Sequence, residues 1–342
     1  GANSDTQADD YFNTVLYTGN ESSRSIAVGF QSDWVWIKNR ETTRYHRVYD
    51  SSRGATKALY TNDTDAEETN STELTAFNSN GFTLGAGVGS NENNDTFVSW
   101  NWKANGGTTV TNEAGSIDST VQANTDAGFS IVTFEGNKTR GATIGHGLGV
   151  KPDMIIMKNR DIGVSWVVWF PNLQANNQLL ELNSTGAVLT NTGDVNAWWN
   201  NTAPDENVIT LGDYDGINDD LSMLAYCFHS VEGYSKFGSF TGNGNADGTF
   251  VYTGFRPAFI IVKTTTVANW EMFDTTRSPS NVIGIRLFPS TTNAENTGEA
   301  NCYDILSNGF KSRGAYGGNN ISGNTYIYMA FAEAPFKYAN AR

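Results

Sequence analysis

Short apolar runs alternate along the chain with polar, glycine-bearing turns, and no stretch holds a helical period for more than about ten residues. Seven or eight such runs fill each successive stretch of roughly a hundred residues, a density that predicts strands folded into two-layer sandwiches. The runs also recur in a fixed order. Phe12 to Asn20, Phe129 to Asn137 and Phe237 to Asn243 are each an aromatic-rich strand ending in Gly-Asn. A second shared strand follows, Trp34 to Arg40, Met154 to Arg160 and Phe259 to Lys263, each carrying a lysine at its end. The spacing from Gly19 to Gly136 is 117 and from Gly136 to Gly242 is 106; from Lys38 to Lys158 it is 120 and from there to Lys263 it is 105. Two landmarks moving together indicate tandem copies of one unit.

The copies agree further on. Val48-Tyr49-Asp50-Ser51-Ser52-Arg53 is echoed by Met272-Phe273-Asp274-Thr275-Thr276-Arg277, while the second copy has Trp169-Phe170-Pro171-Asn172 instead. Each copy closes on an aromatic strand, Phe97 to Trp102, Leu221 to Phe228 and Tyr326 to Phe331. The reading is all-β: three tandem β-sandwich domains of jelly-roll type, with immunoglobulin-like connectivity as the alternative. Residues 1–11 form an extended arm, and 12–125, 126–232 and 233–342 form the three repeats, each expected to bury its own aromatic interior. The Gly- and Thr-rich passage Ala104 to Ala127 reads as a link between the first two. The predicted shape is elongated.

Composition narrows the partners. With 22 basic and 36 acidic residues the formal charge is −14, which repels phosphate backbones and anionic headgroups, so nucleic acid is a poor partner. No run reaches the roughly 20 apolar residues of a membrane span. The start Gly1-Ala2-Asn3 has neither Met nor an apolar core and reads as processed or trimmed. Cys227 and Cys302 allow one bridge or two thiols.

Several motifs, taken with Ala225 to Gly244 and the ending Ala330-Phe331-Ala332-Glu333-Ala334-Pro335-Phe336, resemble a family of uncharacterised tandem-repeat β-domain structural proteins found mainly in aquatic bacteriophage genomes and metagenomes. The others are the Tyr17-Thr18-Gly19-Asn20 turn and Pro152 to Arg160. The resemblance implies a virion or extracellular structural component and carries no catalytic residues with it.

Candidate chemistry is sparse. Asp213, Asp215, Asn218 and Asp219 gather oxygen ligands around Gly216 as calcium loops do, but Gly216 sits fourth rather than sixth and Leu224 stands where a closing Glu belongs, so a solvated turn is the plainer reading. Trp198 and Trp199, beside Asn200 and Asn201, are a candidate glycan platform, with core packing as the alternative. Asp65, Glu67 and Glu68 are the acids a glycoside hydrolase would draw on, though a polar loop explains them as well. His46, His146 and His229 fall at non-equivalent places, against a shared metal site. Lys38, Lys158 and Lys263 read as gatekeepers that discourage edge pairing, and Asp50 with Arg53 and Asp274 with Arg277 as local turn ion pairs, worth little if exposed. Sequons stand at Asn20, Asn62, Asn70, Asn94, Asn137, Asn183, Asn200 and Asn320.

The expected function is therefore non-enzymatic self-assembly into a fibre, filament or virion appendage. The strand holding Tyr11, Phe12, Val15 and Tyr17 is the candidate for adding itself to a neighbouring sheet, with a lectin-like glycan- or receptor-binding module as the alternative. No cofactor is expected apart from the candidate Ca²⁺.

Overall fold

The computed structural model describes residues 8–171, 176–297 and 302–333, and the chain is nearly all β. All three repeats follow one plan. The first strand (Phe12–Thr18, Phe129–Glu135, Ser235–Thr241) pairs antiparallel with the last (Thr96–Trp102, Ser222–Phe228, Thr325–Ala332). The second (Arg24–Ala27, Thr143–Gly145, Phe250–Tyr252) pairs with the penultimate (Gly81–Leu84, Val208–Thr210, Gly309–Ser312). First with last and second with penultimate is how a jelly roll winds. The third strand (Trp34–Asn39, Met154–Asn159, Pro257–Thr264) lies on the other side of the last. The fourth (Arg47–Asp50, Val167–Trp169, Glu271–Asp274) continues that same sheet instead of crossing to the small one.

Central strands here are buried on both faces, which is why their sequences read as unbroken apolar runs. Side chains alternate across a strand. Val35 and Ile37 therefore enter the first repeat's own sandwich, while Trp34 and Trp36 enter a second interior on the opposite face of the sheet. Ile155 and Met157 do the former in repeat 2, Met154 and Ile156 the latter.

That second interior is common to all three repeats, so it runs across the boundaries expected near 125 and 232. Trp34 meets Tyr226 and Phe129 of repeat 2, with ring centroids 4.6 and 5.9 Å apart. Phe12 stacks on Phe331 of repeat 3 at 5.0 Å, and Phe228 of repeat 2 meets Phe237 of repeat 3 at 5.5 Å. Such pairs add about 0.5–1.5 kcal/mol each beyond the area they bury. Repeats 1 and 2 do enclose interiors of their own. The expectation of three self-sufficient copies in an elongated row is nonetheless corrected: the larger, aromatic face of each big sheet is buried only by the other repeats.

Two local features follow from the repeat motif. Asn91, Asn218 and Asn320 are fully buried, and each clamps its repeat's Gly-Asn turn. The Asn218 amide donates to Asn137 Oδ1 and the Thr139 and Gly212 carbonyls, and its Oδ1 accepts from the Asn137 N–H. Asn91 and Asn320 repeat this geometry on Asn20 and Asn243. The turn passes so close to the clamp that a Cβ on Gly19, Gly136 or Gly242 would lie 2.0, 1.9 or 2.2 Å from a carbonyl oxygen. Second, the passage read as a link forms two strands, Val110–Asn112 and Ser119–Asn124, which cover the outer side of repeat 2's first strand. Among the described residues the equivalent strands of repeats 1 and 3 are sheet edges.

Candidate functional site

Buried ion pairs lie at two of the places where repeats meet. Asp50 faces Trp34 across the first repeat's sheet, Asp274 faces Phe259 in the third, and Phe170, next after the Trp169 that faces Ile155, holds that place in the second. At the seam between repeats 1 and 2, Arg53 pairs with Asp50 at 2.5 Å and with Glu67 at 3.0 Å. Arg160 of repeat 2 forks onto the same Glu67 through two hydrogen bonds of 2.9 and 3.0 Å, and the Tyr226 hydroxyl donates to Asp50 at 2.7 Å. The seam between repeats 3 and 1 reproduces this group by group. Arg277 pairs with Asp274 at 2.5 Å and with Glu295 at 3.2 Å, Arg40 of repeat 1 forks onto Glu295 at 2.8 and 2.9 Å, and the Trp100 indole donates to Asp274 at 3.1 Å.

The third seam keeps the backbone and discards the charges. Glu67 N–H donates to the Arg160 carbonyl and Glu295 N–H to the Arg40 carbonyl; in the same way Val188 N–H donates to the Thr265 carbonyl at 2.9 Å. Val188 stands for the glutamate, Thr265 for the incoming arginine, Phe170 for the aspartate, and Met329, which faces Ile261 as Trp100 faces Trp36, for the donor. Among the described residues, each charged member with a counterpart here is replaced by an uncharged one; the position of Arg53 and Arg277 falls within 172–175, outside the described residues.

The fourth strands carry a further cyclic contact. Trp166 of repeat 2 donates its indole N–H to the Tyr60 carbonyl of repeat 1, and Trp270 of repeat 3 donates to the Glu181 carbonyl of repeat 2, at 2.8 and 2.9 Å. His46 takes the corresponding place in repeat 1. Its Nδ1 accepts from the Trp36 indole, so its proton lies on Nε2, turned to the main chain of Phe288 without a bond of ordinary length. Burial pushes the imidazole well below its usual pKa, with Lys38 and Arg277 adding to the effect. Repeat 2 thus leans on 1, 1 on 3 and 3 on 2, a head-to-tail contact that closes within one chain.

Lys38, Lys158 and Lys263 are not gatekeepers, because the third strand is central and all three side chains are fully buried. Each ammonium donates to main-chain carbonyls just beyond its strand: Lys38 to Asn39 and Thr42, Lys158 to Asn159 and Ile162, Lys263 to Thr264 and Thr266. In repeats 1 and 2 these turns present Arg40 and Arg160 to the seams. Desolvation lowers the lysine pKa values to about 7, about 8 and about 8. Asp50 with Arg53 and Asp274 with Arg277 are local pairs, as read, but fully buried and tied into the inter-repeat clusters.

The remaining candidates disperse. Asp213 pairs with Arg140, Asp215 and Asp219 both pair with Lys138, and Asn218 is the turn clamp, so these four do not form an open oxygen cage. Among the described residues no group of three or more His, Cys, Asp or Glu is placed to hold a metal ion. Trp199 is 1% exposed and its indole donates to the Gln178 carbonyl, while Trp198 packs beside it against repeat 2's interior; the pair offers no platform.

Burial lifts the Glu67 carboxyl, but hydrogen bonds and charge from Arg160 and Arg53 outweigh it and hold it below its ordinary value. Glu68 accepts from the Tyr60 hydroxyl, and Asp65 is exposed. Phe12 and Tyr17 are buried, and the Tyr17 hydroxyl donates to the Ser90 carbonyl. Tyr11 and Val15 pack partly under neighbours, so this strand is not a loose arm; residues 1–7 lie outside the described residues.

The Asn320 sequon is overturned by complete burial of a side chain engaged as a clamp. Asn20, Asn94 and Asn137 are exposed, and Asn62, Asn70, Asn183 and Asn200 are half-buried. Cys227 lies inside repeat 2, and Cys302 lies against the Tyr316 hydroxyl in repeat 3.

One surface went unread in the sequence. Phe250 and Tyr252, on one face of repeat 3's second strand, are 44% and 65% exposed. Comparing the repeats would have flagged them, since Ser25 and Ala27 or Thr143 and Gly145 fill those places elsewhere.

Fold and seams together define an all-β protein of three jelly-roll-like repeats closed around a common aromatic interior. The chain belongs to the family described as Domain of unknown function (DUF7483), whose model matches residues 7–335 and so takes in all three repeats. No curated protein and no solved structure matches it.

Proposed function

We propose that the chain is a non-enzymatic structural protein of an extracellular or virion assembly, a rigid block that joins copies of itself through open sheet edges. The observation that carries this reading is the use made of its buried charge. The Asp-Arg-Glu clusters and all three lysines bond one repeat to the next or brace the turns that do so, in the manner of a part that must hold its shape. Two equivalent strands, Phe12–Thr18 and Ser235–Thr241, have no strand on their outer side among the described residues, whereas a hairpin covers that side in repeat 2. Open edges accept a further strand through main-chain hydrogen bonds. The likeness of its motifs to bacteriophage repeat proteins fits a virion component.

Light scattering and negative-stain microscopy across a concentration series test this. Ordered polymers are expected, and Leu16→Lys, on the open edge of the first strand, should suppress them. A chain that stays monomeric at every concentration overturns the reading, as does polysaccharide hydrolysis by the purified protein.

A further inference from the structure

We infer that the outer face of repeat 3's small sheet is a carbohydrate site, taking a neutral oligo- or polysaccharide across Phe250 and Tyr252. The two side chains are separated by one residue, so they project from the same face of the strand about 6.5–7 Å apart. Among the described residues the strand is the edge of its sheet. Opposite Tyr252 stands Gly309, and Phe250 reaches across that bare position, its Cε2 3.1 Å from where a Cβ would be; Tyr252 likewise covers Gly254. Glycines beneath the rings leave them room to lie along the sheet.

Polar groups border the rings. Lys311 faces Phe250 across the strand pair. Asp247, on the adjoining turn, pairs with Lys311 and lies 3.6 Å from Arg313, which reaches Asp304 at 3.4 Å. Two cations and two carboxylates cancel locally, so the border offers donors and acceptors without net charge. A pyranose complements such a surface: its C–H face stacks on an aromatic ring and its hydroxyls both donate and accept. A polyanion would meet Asp247, Asp304 and an overall charge of −14.

The fold does not require these aromatics, because the sister repeats hold Ser25 and Ala27, or Thr143 and Gly145, in the same places. Two large exposed rings kept at one of three equivalent sites point to a ligand.

The test is native affinity electrophoresis of the full chain in gels containing dextran, galactomannan or hydroxyethylcellulose. At least one polymer should retard the parent. The double variant Phe250→Ser with Tyr252→Ala, which installs repeat 1's own residues, should bind at least about 10-fold more weakly with unchanged thermal unfolding. Phe250→Tyr should retain binding, as should Trp198→Ala. Absence of retardation in all three gels, or equal retardation of the double variant, overturns the assignment. So does loss of chain-to-chain association in the double variant without any polysaccharide binding, which would make the patch a contact between copies.

Discussion

The seam between repeats 3 and 1 and the seam between repeats 2 and 3 occupy equivalent positions in one ring, yet one is built from buried charge and the other, among the described residues, from uncharged side chains. At the first, five polar side chains, Asp274, Arg277, Glu295, Arg40 and Trp100, satisfy one another. At the second, Phe170, Val188, Thr265 and Met329 take over, and Phe170 enters the common interior. The difference teaches that such a network is all or nothing. A buried charge that loses its partner is costly, whereas a complete set exchanged for well-packed apolar groups is not. Repeat 2 follows this rule again at its fourth strand, where Val167 stands in the place of Arg47 and Glu271, the residues that pair with Glu73 and Arg286 in opposite polarity.

The sharpest way to break the comparison is to remove one member. Arg277→Met, leaving Asp274 and Glu295 buried without it, should cost about 3–5 kcal/mol in urea unfolding. Phe170→Asp, which plants an unpartnered carboxylate in the apolar seam, should cost a similar amount. Converting the whole ionic seam, with Asp274→Phe, Arg277→Leu, Glu295→Val, Arg40→Thr and Trp100→Met together, should leave the protein closer to the parent than Arg277→Met alone. If the fivefold variant is the less stable, the all-or-nothing account fails.

A smaller loss, about 1–3 kcal/mol, is expected for Asn218→Ala, which strips several partners from one turn while touching no seam. The gentlest probe is pH. Because the three lysines ionise less readily in the folded chain, the unfolded chain binds more protons between about pH 7 and their ordinary value of 10.5. Stability should therefore rise with pH across that window, and replacing all three lysines by Met should flatten the rise. At the acid end Glu67 and Glu295 have the opposite sign: their lowered pKa values stabilise the fold above the ordinary 4.5, and that contribution should fade as pH falls below it.

Much of this was legible in the amino-acid order. The strand pattern gives the β-sandwich character, and the spacing of Gly19, Gly136 and Gly242 gives the repeat. The common interior does not show in the count of apolar runs. An unbroken run such as Trp34-Val35-Trp36-Ile37 signals burial on both faces, with large residues on one and smaller ones on the other. Lys38 was misplaced for a related reason: a charged residue ending an apolar strand reads as a surface residue unless nearby carbonyls are known to receive it. The departure at Trp169-Phe170-Pro171-Asn172 is plain in the sequence, but only the partner positions 188, 265 and 329, far off in sequence, show that the change is concerted.

Closure also fixes arithmetic. Where repeats stack in an open row, a copy can be gained or lost at either end and the row merely lengthens or shortens. Here the third copy already returns to the first, so a fourth would find no vacant neighbour and a missing one would uncover two aromatic walls at once. Growth of such a chain must take place outside the circle, in excursions like the hairpin between residues 104 and 127.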